Sequence, residues 1–117
     1  MWYITGNQGR SVGLYLWDGT GASVGSWTSS TLPVGTWTHL AYTVDRTAGV
    51  VSRYRNGVLE GTVSIPSTFG GVDTLFGPRI GSPTLNAMMD DVRVYSRVLS
   101  WSEVLDIPFQ ADEAPYY

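Results

Sequence analysis

Met88 to Tyr95 (MMDDVRVY) is an apolar run broken by charges, alternating from Asp91 to Val94, and it leads into Arg97-Val98-Leu99-Ser100-Trp101-Ser102-Glu103-Val104. Ser100 and Glu103 stand three apart, the spacing at which a serine hydroxyl and a glutamate carboxylate each satisfy a free backbone N–H of the other at a helix start. Leu99 and Val104 flank them as the two halves of a hydrophobic staple. The spacing therefore predicts a strand over Met88–Tyr95 followed by one or two helical turns beginning at Trp101. A strand ending in a short capped helix is a structural signature, and it points to a binding module more than to a catalytic one.

The chain has 117 residues, 43% of them hydrophobic and 13% aromatic. That is enough for one domain with its own core and too little for two. Cysteine is absent, which excludes a disulfide framework and a thiolate metal site. All seven basic residues are arginine and the net charge is −3, a poor match to a polyphosphate backbone. Nucleic acid is thereby an unfavourable partner. No run is long and apolar enough to insert in a membrane, and Met1-Trp2-Tyr3-Ile4-Thr5-Gly6 carries neither the basic start nor the apolar stretch of a signal peptide.

Fourteen glycines among many Val, Thr, Tyr and Trp residues fit short strands separated by turns, so the class is all-β. Ser11 to Asp18 places Val12, Leu14 and Leu16 on one face and Tyr15 and Trp17 on the other, as an interior strand would. Asp18-Gly19 signals a turn, with Ala22 to Thr28 as the returning strand anchored by Val24 and Trp27. After Leu32-Pro33-Val34-Gly35, Trp37 to Asp45 reads as the strongest strand of the chain. Asn56-Gly57 is the best two-residue hairpin signal, joining Val50–Arg55 to Val58–Val63. Ile65 to Thr74 reads as a loop, and Leu75 to Gly81 as a short strand that Pro78 confines to a sheet edge or a bulge. Asp106 to Tyr117 reads as an extended tail. These strands, joined mostly by hairpins, predict a two-sheet antiparallel jelly-roll sandwich with one short C-terminal helix, over residues 1–107, and a tail over 108–117.

Four blocks taken in order, Gly35–Asp45 (GTWTHLAYTVD), Tyr54-Arg55-Asn56-Gly57, Arg79-Ile80-Gly81 and Met89–Ser100 (MDDVRVYSRVLS), resemble the laminin G-like, concanavalin A-like jelly-roll family. Against that family the opening strands are missing, and Met1 falls inside the expected domain. The resemblance therefore implies either a trimmed variant or an uncovered ladder completed by another chain, through the Trp2–Thr5 strand, the tail from Pro108 to Tyr117 or both, and hence an oligomer or a component of a larger assembly. It also implies glycan or protein recognition, often with calcium, on an extracellular or virion surface.

His39 is the sole histidine, and no Gly-x-Ser-x-Gly elbow is present, so neither a multi-histidine metal site nor a serine triad is encoded. The single imidazole is expected to pack inward on its strand. Asp90 and Asp91 are adjacent, which on a strand turns them to opposite faces. Arg93 stands where a same-face acid would be needed for glycoside hydrolysis. The chain is accordingly read as noncatalytic, with one of these carboxylates facing Arg93 or Arg97. Calcium would take loop oxygens from Asp18, Asp45, Asp73 and Asp90. The aromatic set exceeds what a core this size requires. Trp37 and Tyr42 are assigned to the core. For Trp17, Trp27, Tyr116 and Tyr117 the alternation leaves core, protein interface and ligand contact equally open, and Trp17 and Trp27 with Asp18 and Asp73 are the candidate ligand-binding residues, indoles for stacking on sugar rings and carboxylates for their hydroxyls. A carbohydrate-binding or adhesion module is one reading, and a structural assembly or decoration subunit is the other.

Overall fold

The computed structural model describes residues 2–7, 11–27, 31–70, 79–80 and 88–113. Among these residues, seven strands are arranged in two sheets. One contains β1 (Trp2–Asn7), β2 (Ser11–Trp17), β3 (Ser23–Trp27) and β7 (Arg79–Ile80) in the order β3-β2-β1-β7. The other contains β4 (Leu40–Asp45), β5 (Val50–Arg55) and β6 (Val58–Ser64) in sequence order. Every pairing is antiparallel except β7, which runs parallel to β1 through Tyr3↔Arg79 and Ile4↔Ile80. The described residues are thus mostly β, two packed sheets with one helix.

The alternation of β2 directs the core. Val12, Leu14 and Leu16 are buried on one face, as their period predicts, and β2 is interior to its sheet. Leu14, Leu16, Val24 and Val51 pack with Phe69 from the loop after β6, with Tyr42, Val44, Val63 and Ile65 around them. Both short turns form as the sequence requires. Asn56 and Gly57 adopt φ of 50° and 82°, the left-handed pair a two-residue hairpin needs. Thr20 and Ala22 N–H donate to Asp18 Oδ1 at 2.8 and 3.1 Å, closing the β2–β3 turn.

Four expectations are corrected. The strand expected from Trp37 begins at Leu40, because its partner β5 ends at Arg55, which pairs with Leu40, and the hairpin then turns away. Trp37 and His39 therefore lie outside the ladder. Met88–Tyr95 forms no strand with any described element, although its sequence alternates. The flank of β1 expected to be uncovered is occupied at Tyr3 and Ile4 by β7, which is itself the sheet edge expected around Pro78. Finally, helix α1 spans Trp101–Glu113, well past two turns and into the segment expected to be extended. Pro108 lacks the N–H that would bond the Val104 carbonyl, but its ring fixes φ near the helical value, and Gln110, Ala111 and Glu113 then favour helix. The calls on Leu75–Pro78 and on residues 114–117 lie outside the described residues.

Candidate functional site

The start of α1 is built as its capping box dictates. Ser100 N–H donates to Glu103 Oε1 at 3.0 Å and Glu103 N–H donates back to Ser100 Oγ at 3.3 Å. Arg97 Nη1 donates to Glu103 Oε1 at 2.9 Å. The Arg97 guanidinium, then the Ser100 N–H, hold the Glu103 carboxyl down at about 2. With the first turn fixed, Val104 and Ile107 are buried, and Leu105 lies against the β5–β6 turn, where a Cβ on Gly57 would meet Leu105 Cδ1 at 2.8 Å and its Cα at 3.1 Å. On the same side, Trp101 Nε1–H donates to the Gly57 carbonyl at 3.2 Å. The indole is thereby oriented by its polar end while the residue remains 58% exposed.

The segment before β4 meets that same turn. Asn56 N–H donates to the His39 carbonyl at 2.8 Å, and His39 N–H donates to Asn56 Oδ1 at 2.9 Å. His39 is half-buried, and its Nδ1 is buried without a hydrogen-bond partner among the described residues. Burial holds the imidazole below its ordinary pKa. The charge of nearby Arg93 pushes the same way and that of Asp91 opposes it. Arg93 Nε and Nη2 donate to the two oxygens of Asp91 at 3.0 and 3.2 Å. One carboxylate does face an arginine as expected, but on an exposed segment, where such a pair contributes little stability. Trp37, two residues before His39, is 65% exposed and not in the core. The β5–β6 turn thus gathers an oriented tryptophan, the backbone leading from an exposed one, a half-buried imidazole and an acid–arginine pair. Tyr42 is half-buried against the core as expected, its hydroxyl donating to the Val12 carbonyl at 3.0 Å, and burial pushes its phenol up to about 12.

A polar cluster lies inside the sandwich. Opposite Arg53 and Tyr54 the pairing skips Glu60, so the extra residue of a β-bulge turns its carboxylate toward β5. Arg53 Nε donates to Glu60 Oε1 at 2.8 Å, and Arg55 Nε stands 2.8 Å from Glu60 Oε2 in charge contact without an aligned hydrogen bond. Arg53, 8% exposed, also donates from Nη1 to Ser26 Oγ at 3.0 Å, linking the two sheets. Its Nη2 lies over Gly61, where a Cβ would come within 2.7 Å. Sequence reasoning missed this cluster. The available signal was a glycine inside a strand pattern, a common mark of a bulge.

The residues expected to hold ligand or calcium are dispersed. Asp18 Oδ2 accepts a third backbone N–H, from Gly70 at 3.2 Å, so its carboxylate ties the β2–β3 turn to the loop after Phe69. These backbone donors, with Thr20 first, lower its pKa against a modest desolvation. Asp45 Oδ1 accepts Ala48 N–H at 2.9 Å, and Asp90 Oδ1 accepts Asp91 N–H at 2.8 Å. Among the described residues no three acids or histidines gather as a metal site would require, and Asp18, Asp45 and Asp90 do not fit a shared calcium. Trp17 is half-buried at the end of β2. Asp73 and the side chain of Trp27 lie outside the described residues. No helix among the described residues is long and apolar enough to cross a membrane.

No curated protein matches the sequence. Among solved structures, the chain is similar to residues 221–444 of an S-layer domain-containing protein from Clostridium thermocellum ATCC 27405. That likeness has 25% identity and a TM-score of 0.46, and it covers 83% of this chain and 51% of that one, so the chain spans about half of its length. Residues 1–105 match the laminin G-like family described as the concanavalin A-like lectin/glucanases superfamily. With nearly the whole chain matched and the two packed sheets in place, the protein belongs to that family.

Proposed function

We propose that the protein is a noncatalytic recognition module of the jelly-roll type that binds carbohydrate on an extracellular or virion surface, and that Trp101 at the β5–β6 turn is its principal contact. The observation that carries this reading is the orientation of an exposed indole by its own N–H, held to the Gly57 carbonyl. Sugar rings present apolar C–H faces that stack on indoles, and a platform fixed before binding loses little side-chain freedom on contact. Trp37 supplies a second exposed aromatic, two residues before His39. Asn56, Asp91 and Arg93 offer the polar partners that sugar hydroxyls need. The family contains both lectins and glucanases. The noncatalytic reading is favoured because the two adjacent acids are otherwise engaged, Asp91 by Arg93 and Asp90 by its neighbour's N–H, so neither is set across a scissile bond from the other.

A glycan array probed with the labelled protein tests this. Retention of a defined set of saccharides, reduced at least about tenfold by Trp101→Ala and less by Trp37→Ala, is expected if one stacking contact dominates. Wild-type protein that binds no glycan, or binding indifferent to both substitutions, overturns the assignment.

A further inference from the structure

His39 is the sole histidine of a chain without cysteine, so its imidazole is the only side chain whose ordinary pKa falls between about pH 5 and pH 8. Its backbone fastens the segment from Trp37 to the β5–β6 turn. The His39 carbonyl accepts Asn56 N–H at 2.8 Å, and His39 N–H donates to Asn56 Oδ1 at 2.9 Å. The ring therefore sits on the joint that sets where Trp37 stands. Its Nδ1 is buried and has no hydrogen-bond partner among the described residues. A neutral ring tolerates that position, because an unprotonated Nδ1 only forgoes a bond it could accept. A protonated ring does not, because it buries a charged N–H with nothing to receive it. We infer that His39 is an acid-sensitive latch: neutral, it holds the Trp37–His39 segment against the β5–β6 turn, and protonated, it swings out and releases that segment.

The surrounding groups favour release over rescue. Arg93 places a positive charge near the ring and disfavours the imidazolium. Asp91 is the carboxylate that would favour it, but both of its oxygens already accept from Arg93, at 3.0 and 3.2 Å. Tyr95 is hydrogen-bonded to the same arginine. On β5 the charge beside His39 in the register is Arg55, opposite Leu40, and it stands 2.8 Å from Glu60. Asn56 and Gly57 of the turn carry no charge, and Glu103 at the start of α1 is bound by Arg97. Desolvation first, then Arg93, holds the docked imidazole below its ordinary pKa of 6.5. The docked state therefore binds fewer protons than the released one. Docking is complete above the ordinary value and weakens as the pH falls from there toward the lowered one. The latch stands apart from the carbohydrate reading, and each is testable without the other.

In protein free of any histidine tag, the single imidazole C2–H resonance needs no assignment. Its titration midpoint should lie below 6.5 in the folded protein and return to the ordinary value in urea. Hydrogen exchange, corrected for the intrinsic rate, should show the His39 and Asn56 amides losing protection at least about threefold between about pH 7 and pH 5. Val51 and Tyr54 within β5 should keep theirs over the same range. His39→Phe retains a ring without a titrating nitrogen and should hold the protection constant, and His39→Gln makes the same comparison should the Phe variant not fold. A midpoint at or above the ordinary value, wild-type protection independent of pH, an equal loss at Val51 and Tyr54, or the same loss in the substituted chain overturns the latch.

Discussion

Gly57→Ala probes the joint between α1 and the β5–β6 turn, on which the proposed binding platform rests. Two costs add there. Gly57 has φ of 82°, and a β-carbon in the left-handed region costs roughly 1–2 kcal/mol. The new Cβ would also meet Leu105 Cδ1 at 2.8 Å and Leu105 Cα at 3.1 Å; the first can swing aside, but the second moves only with the helix backbone. Overpacking of this kind costs about 1–3 kcal/mol. Alanine regains about 0.4–1 kcal/mol by restricting the unfolded chain. The net loss is about 3 kcal/mol, a fall in unfolding midpoint of about 12 °C for a domain of this size. Gly49→Ala is the control. Its φ is 70° with nothing within 4 Å of the added Cβ, so only the strain and the same unfolded-chain gain apply and about a third of the loss is expected. Calorimetric unfolding of both variants and of Gly57→Ala combined with Leu105→Ala gives the answer. The combined variant should lose less than the sum of the single losses, because truncating Leu105 removes the nearest clash. Equal losses at 57 and 49 together with strict additivity would refute the seating of α1 on the turn.

Ser100→Ala removes the hydroxyl that accepts Glu103 N–H and should lower stability by about 1 kcal/mol in urea unfolding, whereas Ser100→Asn should largely preserve it. Tyr42, with its phenol pushed up to about 12 from an ordinary value near 10, retains its proton in the folded state when the unfolded chain has lost it. Its contribution is therefore fully present below about pH 10 and lost as the pH rises from about 10 to about 12. Tyr42→Phe should flatten that alkaline loss of midpoint, and an unchanged profile would contradict the assignment.

The features legible in the sequence are those whose chemistry is local. Asn56-Gly57 demands a left-handed pair wherever it stands, Ser100 and Glu103 satisfy each other's N–H within one turn, and Asp18 closes its own loop. What the sequence left unread depends on partners distant along the chain. Alternation from Trp37 suggested a strand, but a ladder needs an opposite strand, and β5 ends where Leu40 meets Arg55. The same argument accounts for Met88–Tyr95, whose pattern is suited to a strand but has no neighbour among the described elements. The placement of Glu60 between two arginines followed from a one-residue slip that periodicity alone does not reveal. Of the candidate site, the tryptophans were visible as a surplus. That Trp101 would be the exposed and oriented one depended on the carbonyl of Gly57, 44 residues earlier in the chain.

The central claim is that Trp101 forms the platform on which a saccharide stacks. The most direct measurement follows the five tryptophan indole N–H resonances by two-dimensional NMR while an array-selected glycan is titrated, with Trp101 assigned through Trp101→Phe. The account predicts a saturable shift concentrated on the Trp101 signal, with its N–H still protected from exchange by the Gly57 carbonyl and a smaller response at Trp37. A Trp101 signal that stays unmoved while the glycan binds, or a saturable shift confined to tryptophans other than Trp101 and Trp37, would contradict it.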